Sequence, residues 1–309
     1  MGVVIIRQDG KIEDWKQALQ AAAPEVDFYS YLEDHPRESI EMAMVWKHPS
    51  GIFKEYPSLK YIASFGAGVD FLLQDNDIPK SVRITRVVDP VLAADMSEYV
   101  IAAILSHMKN LTRYRSDQIK GNWAPVPYTR ITDISVGIMG LGELGSCLAE
   151  DLHSIGFKVV GWSRSKKAIE FVECYSGQEQ KADFLSRVNV LVCLLPLTPE
   201  TTNILNKQLF EKVPKGTYII NVARGGHLVD EDLIEMINSG HISGACLDVY
   251  HQEPLSEKHP FWKHPKILMT PHVASVSDIL AVVPQLLENY YRFKKGDKLL
   301  NEVSTVRGY

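Results

Sequence analysis

Cysteine is scarce in this chain of 309 residues, and the four that occur, Cys147, Cys174, Cys193 and Cys246, form no C-x-x-C pair. Neither a disulfide framework nor a metal site is signalled. Three of the four lie in apolar or helix-opening segments, where a free buried thiol is ordinary. A reduced, cytoplasmic protein without metal is expected. Basic excess is missing too: 33 Lys and Arg stand against 38 Asp and Glu, a net charge of −5, which argues against a nucleic-acid partner. The longest apolar run, residues 190–197, is far too short to span a bilayer, so no membrane partner is expected. The opening Met1-Gly2-Val3-Val4-Ile5-Ile6 has no basic leader, which predicts no signal peptide, and isoleucine at position 6 breaks the myristoylation pattern. Repeats and low-complexity segments are absent. What remains, 45% hydrophobic and 23% charged, is an ordinary globular composition at a length suited to two domains.

Short β-like runs at residues 3–6, 26–31, 42–46, 61–64 and 82–88 are mostly separated by polar, helix-compatible stretches. That alternation predicts βαβ units and a parallel sheet. One long helix is expected over roughly residues 91–119, with Pro125 and Pro127 breaking the chain after it. Alternation resumes with strands expected at 135–139, 158–162, 190–195, 218–222, 244–249 and 267–269, enough for a second doubly wound domain. A closing helix is expected over 275–295, kinked or broken at Pro284.

The most informative segment is Gly140-Leu141-Gly142-Glu143-Leu144-Gly145. It follows the apolar run 134–139, opens a helix-length stretch, and a second apolar run, 158–162, comes next. Strand, glycine turn, helix start and strand together make the dinucleotide-binding fingerprint in its proper context. An NAD-selective site carries Asp or Glu about 20 residues further on, accepting from the ribose hydroxyls. This chain has no acidic residue between Lys158 and Ala168; it has Ser163, Arg164, Ser165, Lys166 and Lys167. Hydroxyls and cations suit a 2′-phosphate, so NADP (NADPH) is the expected cofactor.

Three further residues, Arg224, Glu253 and His272, follow the expected strands at 218–222, 244–249 and 267–269. They therefore sit at the carboxyl edge, where open α/β sheets bind ligands. Singly, each has an ordinary alternative: a loop arginine, a solvated charge, one histidine among ten. Beside a nicotinamide they make a reaction centre for a 2-oxo acid. Arginine orients the carboxylate and polarises the carbonyl. Histidine protonates the forming alkoxide, and a carboxylate fixes the imidazole.

In these motifs the chain resembles the D-isomer-specific 2-hydroxyacid dehydrogenases. The segments are Gly66-Ala67-Gly68-Val69-Asp70, the fingerprint, Leu195-Pro196-Leu197-Thr198-Pro199-Glu200-Thr201, Asn221-Val222-Ala223-Arg224-Gly225, Leu247-Asp248-Val249-Tyr250, Glu253-Pro254 and Thr270-Pro271-His272-Val273-Ala274. Val45-Trp46-Lys47, Trp162-Ser163-Arg164 and Arg307-Gly308-Tyr309 are similar to the branch that reduces glyoxylate and hydroxypyruvate. The resemblance implies an α/β fold of two doubly wound parallel-sheet domains, Rossmann-like and flavodoxin-like, with a cleft between them. It places a discontinuous substrate domain at 1–99 and 276–309 and an NADP-binding domain at 100–275. Arg224 would orient the substrate, His272 would act as acid, and Glu253 would partner it. Backbone amides at Ala67, Gly68 and Val69 would take the substrate carboxylate, with Trp46 and Met96 shaping the pocket. Gly140, Gly142, Glu143, Leu144, Gly145, Leu195, Pro196, Thr198, Val222, Ala223, Asp248 and Ala274 would line the cofactor, Asp248 at the nicotinamide carboxamide. A homodimer is implied, through the helical region before the fingerprint. The expected reaction is NADPH-dependent reduction of glyoxylate to glycolate and of hydroxypyruvate to D-glycerate. Two alternatives stand beside it: an NAD-linked dehydrogenase of D-lactate or a phosphorylated hydroxy acid, and a nucleotide-sensing corepressor or scaffold.

Overall fold

Mostly apolar runs of three to five residues, largely buried, set the first sheet. In the computed structural model, which describes residues 2–304, they are β1 (Val3–Arg7), β2 (Phe28–Ser30), β3 (Met42–Trp46), β4 (Tyr61–Ser64) and β5 (Arg83–Thr85). The closing Arg307-Gly308-Tyr309 lies outside the described residues. All pairings are parallel, in the order β2-β1-β3-β4-β5, with Val3 opposite both Phe28 and Met42. A parallel sheet needs cover on both faces. Val3, Ile5, Met42 and Met44 pack against Trp15 and Leu19 of the helix Ile12–Ala22 and against Val282, Leu286 and Tyr290 of the helix Ile279–Lys295. Val4, Ile6, Ala43 and Val45 pack on the other face with Phe53, Tyr56 and Leu72. The closing helix runs through Pro284 without the expected break. Proline removes one bond there, to the carbonyl of Leu280, a residue 81% exposed whose oxygen water can serve.

The second sheet is β6 (Ser135–Met139), β7 (Lys158–Ser163), β8 (Val172–Ser176), β9 (Val190–Cys193), β10 (Thr217–Asn221), β11 (Ile242–Leu247) and β12 (Ile267–Met269). It is parallel throughout, in the order β12-β11-β10-β9-β6-β7-β8. The order reverses between β6 and β9, which makes the carboxyl ends of that pair the topological switch point. Strand β8 escapes sequence reading because it is an edge: Glu173 is exposed and of its five residues only Tyr175 is buried. The helix expected over 91–119 is two, Pro90–Met108 and Leu111–Ile119. Asn110 separates them at φ 57°, a left-handed conformation asparagine tolerates.

Pro90–Met108 is, among the described residues, the one helix long and apolar enough to cross a membrane by length and composition. Its Met96, Val100, Ile104 and Met108 are spent on Val136, Ile138 and Leu148 in the core. One unit takes the chain up to Val91 and from Ser277 onward; the other runs from Leu92 to Val276.

Candidate active site

The turn after β6 is built by crowding. Gly140 has φ 106°, donates its N–H to the Trp162 carbonyl at 2.8 Å, and would press a Cβ onto the Leu194 backbone. A Cβ on Gly145 would collide with the Gly140 carbonyl, so the helix Glu143–Ile155 can lie against its strand only with glycine there. Gly142 differs: a Cβ would meet nothing within 4 Å. The first and third glycines therefore serve the chain's own packing, and the second leaves open space at the helix N-terminus. No side chain caps that end among the described residues, so its first N–H groups face this space, a ready anion site. Glu143 is exposed there and Leu144 half-buried.

At the end of β7, Ser163 is buried and its hydroxyl donates to the Ser165 carbonyl at 2.8 Å, which curls the loop. Arg164, Ser165 and Lys166 are exposed on it. A hydrogen bond from Thr198 and, more weakly, the Arg164 charge hold the Glu200 carboxyl below its ordinary value, which brings this loop into range of the segment after β9. In that segment Leu195 and Thr198 are buried and Pro196 half-buried. Thr201 staples it, accepting from the Thr198 N–H at 2.8 Å and donating to the Pro196 carbonyl at 2.7 Å.

After β10, Val222 and Ala223 are buried and Arg224 half-buried. Fully buried Asn221 sets the turn: its Nδ2 donates to the Arg224 carbonyl at 2.9 Å and its Oδ1 accepts the Ala223 N–H at 3.2 Å. Arg224 itself donates through a terminal nitrogen to the Ala223 carbonyl at 2.7 Å.

Glu253 and His272 are brought together. His272 Nδ1 lies 2.8 Å from Glu253 Oε2, and the other Glu253 oxygen accepts the Tyr250 N–H at 3.2 Å. A carboxylate on Nδ1 holds that nitrogen as the donor and leaves Nε2 for exchange with a ligand. His272 sits at φ 57°, a left-handed position uncommon for a residue with a side chain, and its ring is about a third exposed.

Asp248 supports that conformation. Buried, it accepts the Thr270 hydroxyl at 2.5 Å and the Val273 N–H at 2.9 Å on one oxygen, and the N–H of buried Ala274 at 2.9 Å on the other. Thr270 in turn lies 2.5 Å from the Tyr99 hydroxyl. The Asp248 carboxylate thus brackets His272, a task the sequence did not reveal. Burial pushes the neighbouring Cys246 thiol up to about 11, so it is no nucleophile at neutral pH.

Of the other expected substrate residues, Trp46, Ala67, Gly68 and Val69 belong to the first unit and Met96 to the second. Trp46, half-buried at the end of β3, packs edge-on to Phe71 at 5.5 Å, and a Cβ on Gly66 would collide with its ring. Ala67 and Gly68 are half-buried and Val69 is buried, in the turn between β4 and the helix Asp70–Leu73. Among the described residues their three N–H groups have no protein acceptor. Met96 is buried in the core described above, on the second unit. No group of three or more metal-ligating side chains occurs among the described residues.

Residues 101–274 match the family model described as D-isomer specific 2-hydroxyacid dehydrogenase, NAD binding domain. A curated relative, glyoxylate/hydroxypyruvate reductase A of Serratia proteamaculans, is 34% identical over all of both chains. A D-isomer specific 2-hydroxyacid dehydrogenase of Xanthobacter autotrophicus, solved with NADPH and MES, superimposes with a TM-score of 0.94 at 38% identity, covering 100% of this chain and 99% of the other. An NADPH-dependent glyoxylate/hydroxypyruvate reductase of Sinorhizobium meliloti, solved with NADP and sulfate, gives 0.93 at 37% identity with the same coverage. With the glycine turn, the reversed strand order and the His–Glu pair in place, the chain belongs to the D-isomer specific 2-hydroxyacid dehydrogenase family.

Proposed function

We propose that the protein reduces small 2-oxo acids with NADPH, glyoxylate to glycolate and hydroxypyruvate to D-glycerate. The observation that carries this reading is the His272–Glu253 pair at 2.8 Å beside the carboxyl ends of β10, β11 and β12. NADPH, when bound, supplies the hydride to the carbonyl carbon. The residues present fit it: the open space at Gly142 and the N–H groups of the helix from Glu143 would hold the pyrophosphate. Ser163, Arg164, Ser165 and Lys166 would hold the 2′-phosphate, Arg164 through its planar fork. Leu195, Pro196, Thr198, Val222, Ala223 and Ala274 would form the remaining walls.

Arg224 binds the substrate carboxylate and draws charge toward the carbonyl oxygen. His272, oriented by Glu253, gives that oxygen its proton from Nε2. In the first unit, the three amides of Ala67, Gly68 and Val69 form a nest suited to a carboxylate, with Trp46 nearby. The relatives named above support the cofactor and the substrates. Four free thiols, two of them buried, suit a reducing compartment, and we place the protein in the cytoplasm as a homodimer.

A panel of 2-oxo acids of graded size, assayed with NADPH and NADH, tests the reading. Glyoxylate and hydroxypyruvate should be turned over, NADPH preferred; no turnover on any acid overturns it. Arg164→Ala should cost more affinity for NADPH than for NADH, and equal losses would count against 2′-phosphate recognition.

A further inference from the structure

His227 stands outside every role assigned so far. It closes the one-turn helix Gly225–His227, is 0% exposed, and has a carbonyl oxygen at each ring nitrogen. Nδ1 is 3.1 Å from the Arg224 carbonyl and Nε2 is 3.3 Å from the Pro196 carbonyl. Carbonyl oxygens only accept, so each ring nitrogen that bonds must carry a proton, and the ring holds both carbonyls together only as the imidazolium. We propose that His227 is a positioning residue, a brace tying the substrate-orienting Arg224 to the cofactor-side segment at Pro196; this rests on the reading of Arg224 given above.

The surroundings leave the brace a defined task. The Arg224 carbonyl collects three donors: Asn221 Nδ2 at 2.9 Å, the His227 N–H at 3.2 Å and His227 Nδ1. The turn cannot give way toward the loop after β11, because a Cβ on Gly225 would already collide with the Tyr250 backbone. Backbone bonds from Asn203 to the Gly226 carbonyl and from Leu205 to the His227 carbonyl fix the far end of the turn. The imidazole links the Arg224 carbonyl to the segment at Pro196. Pro196 is held in turn by the Thr201 hydroxyl, so a ligand that orders this segment orders Arg224 through one ring. Cofactor and 2-oxo acid then bind with mutual dependence.

Three variants separate the two ends of the brace. Asparagine places its amide near Nδ1 and glutamine near Nε2, while leucine fills the space with no donor. NADPH affinity is read by fluorescence titration of the enzyme without substrate, and KM for glyoxylate at saturating NADPH. For His227→Leu we expect NADPH affinity and glyoxylate KM each to worsen about tenfold, the worth of a buried hydrogen bond. His227→Asn should restore KM and leave NADPH weak; His227→Gln should restore NADPH and leave KM high. Unchanged constants, or equal losses in all three variants in step with Tm, would overturn the brace and leave a packing role. If the wild-type enzyme turns over no 2-oxo acid, the substrate reading fails by itself. The NADPH titrations still decide the brace: recovery with glutamine but not asparagine supports it, and any other pattern overturns it.

Discussion

His272 combines an uncommon backbone with the side chain proposed as the acid. A left-handed residue of this kind persists only where its neighbours over-determine it, and Asp248 does so through the N–H groups of Val273 and Ala274. The proposed proton donor is thereby aimed by bonds that do not touch its ring, while among the described residues Glu253 holds Nδ1. His272→Ala is expected to lower kcat about 10²–10⁴-fold, the usual share of general acid catalysis, with NADPH affinity unchanged. Steady-state rates check this, and an unaltered kcat would reject the assignment. At this scale Arg224 and His272 drew notice because each comes soon after an apolar strand, and Glu253 because it closes the loop after one. Asn221, Thr270 and His227 stayed hidden because they act by hydrogen bonds within turns. Only Asn221 carried a signal, a polar residue ending the apolar run Tyr-Ile-Ile-Asn.

The glycine turn and the long helix make two element-scale predictions. Gly142→Ala has room, so Tm should stay level while NADPH affinity falls, the methyl standing where the pyrophosphate would lie. Gly145→Ala drives a methyl into the Gly140 carbonyl and should lower Tm as well. Calorimetry with cofactor titration separates the pair; equal Tm losses would contradict this division of labour. On the helix Pro90–Met108, burial pushes His107 down to about 4, with its ring stacked 3.8 Å from Tyr218. The unfolded chain binds this proton near its ordinary value of about 6.5. Stability is therefore complete above that value and falls as pH drops toward 4, by on the order of 3 kcal/mol. His107→Phe keeps the stacking and cannot titrate, so its Tm should fall less than the wild type's between pH 7 and roughly pH 4.5. An identical acid limb would refute the assignment. Elements were legible where periodicity was strong, as in β1, β3 and β6. They were not where an edge strand alternates with solvent, as in β8, or where one left-handed residue, Asn110, divides a continuous helical pattern.

Over the whole molecule, the least satisfied surface is the stretch before the fingerprint. Leu111, Ile119, Trp123 and Tyr128 are 56%, 75%, 96% and 62% exposed. So much apolar area close together in sequence is unusual on a monomer and suits the proposed contact between two copies. Trp123→Glu should shift the sedimentation of the protein from dimer to monomer without altering its NADPH affinity; an unmoved profile would place the contact elsewhere. The alternating runs of the sequence point to two parallel sheets. The helix bearing Met96 looks continuous with what precedes it, and only its packing on Val136 and Ile138 assigns it to the second unit.

The parallel run of β10 and β11 also separates chemistry from handling. Arg224 and Tyr250 follow the carboxyl ends of these strands, whereas Gly216 and His241 lead into their amino ends. A dye, an affinity peptide or a surface linker grafted at those entry turns would meet the sheet at its back. The protein could then be tethered to an electrode or bead with its reacting edge turned outward.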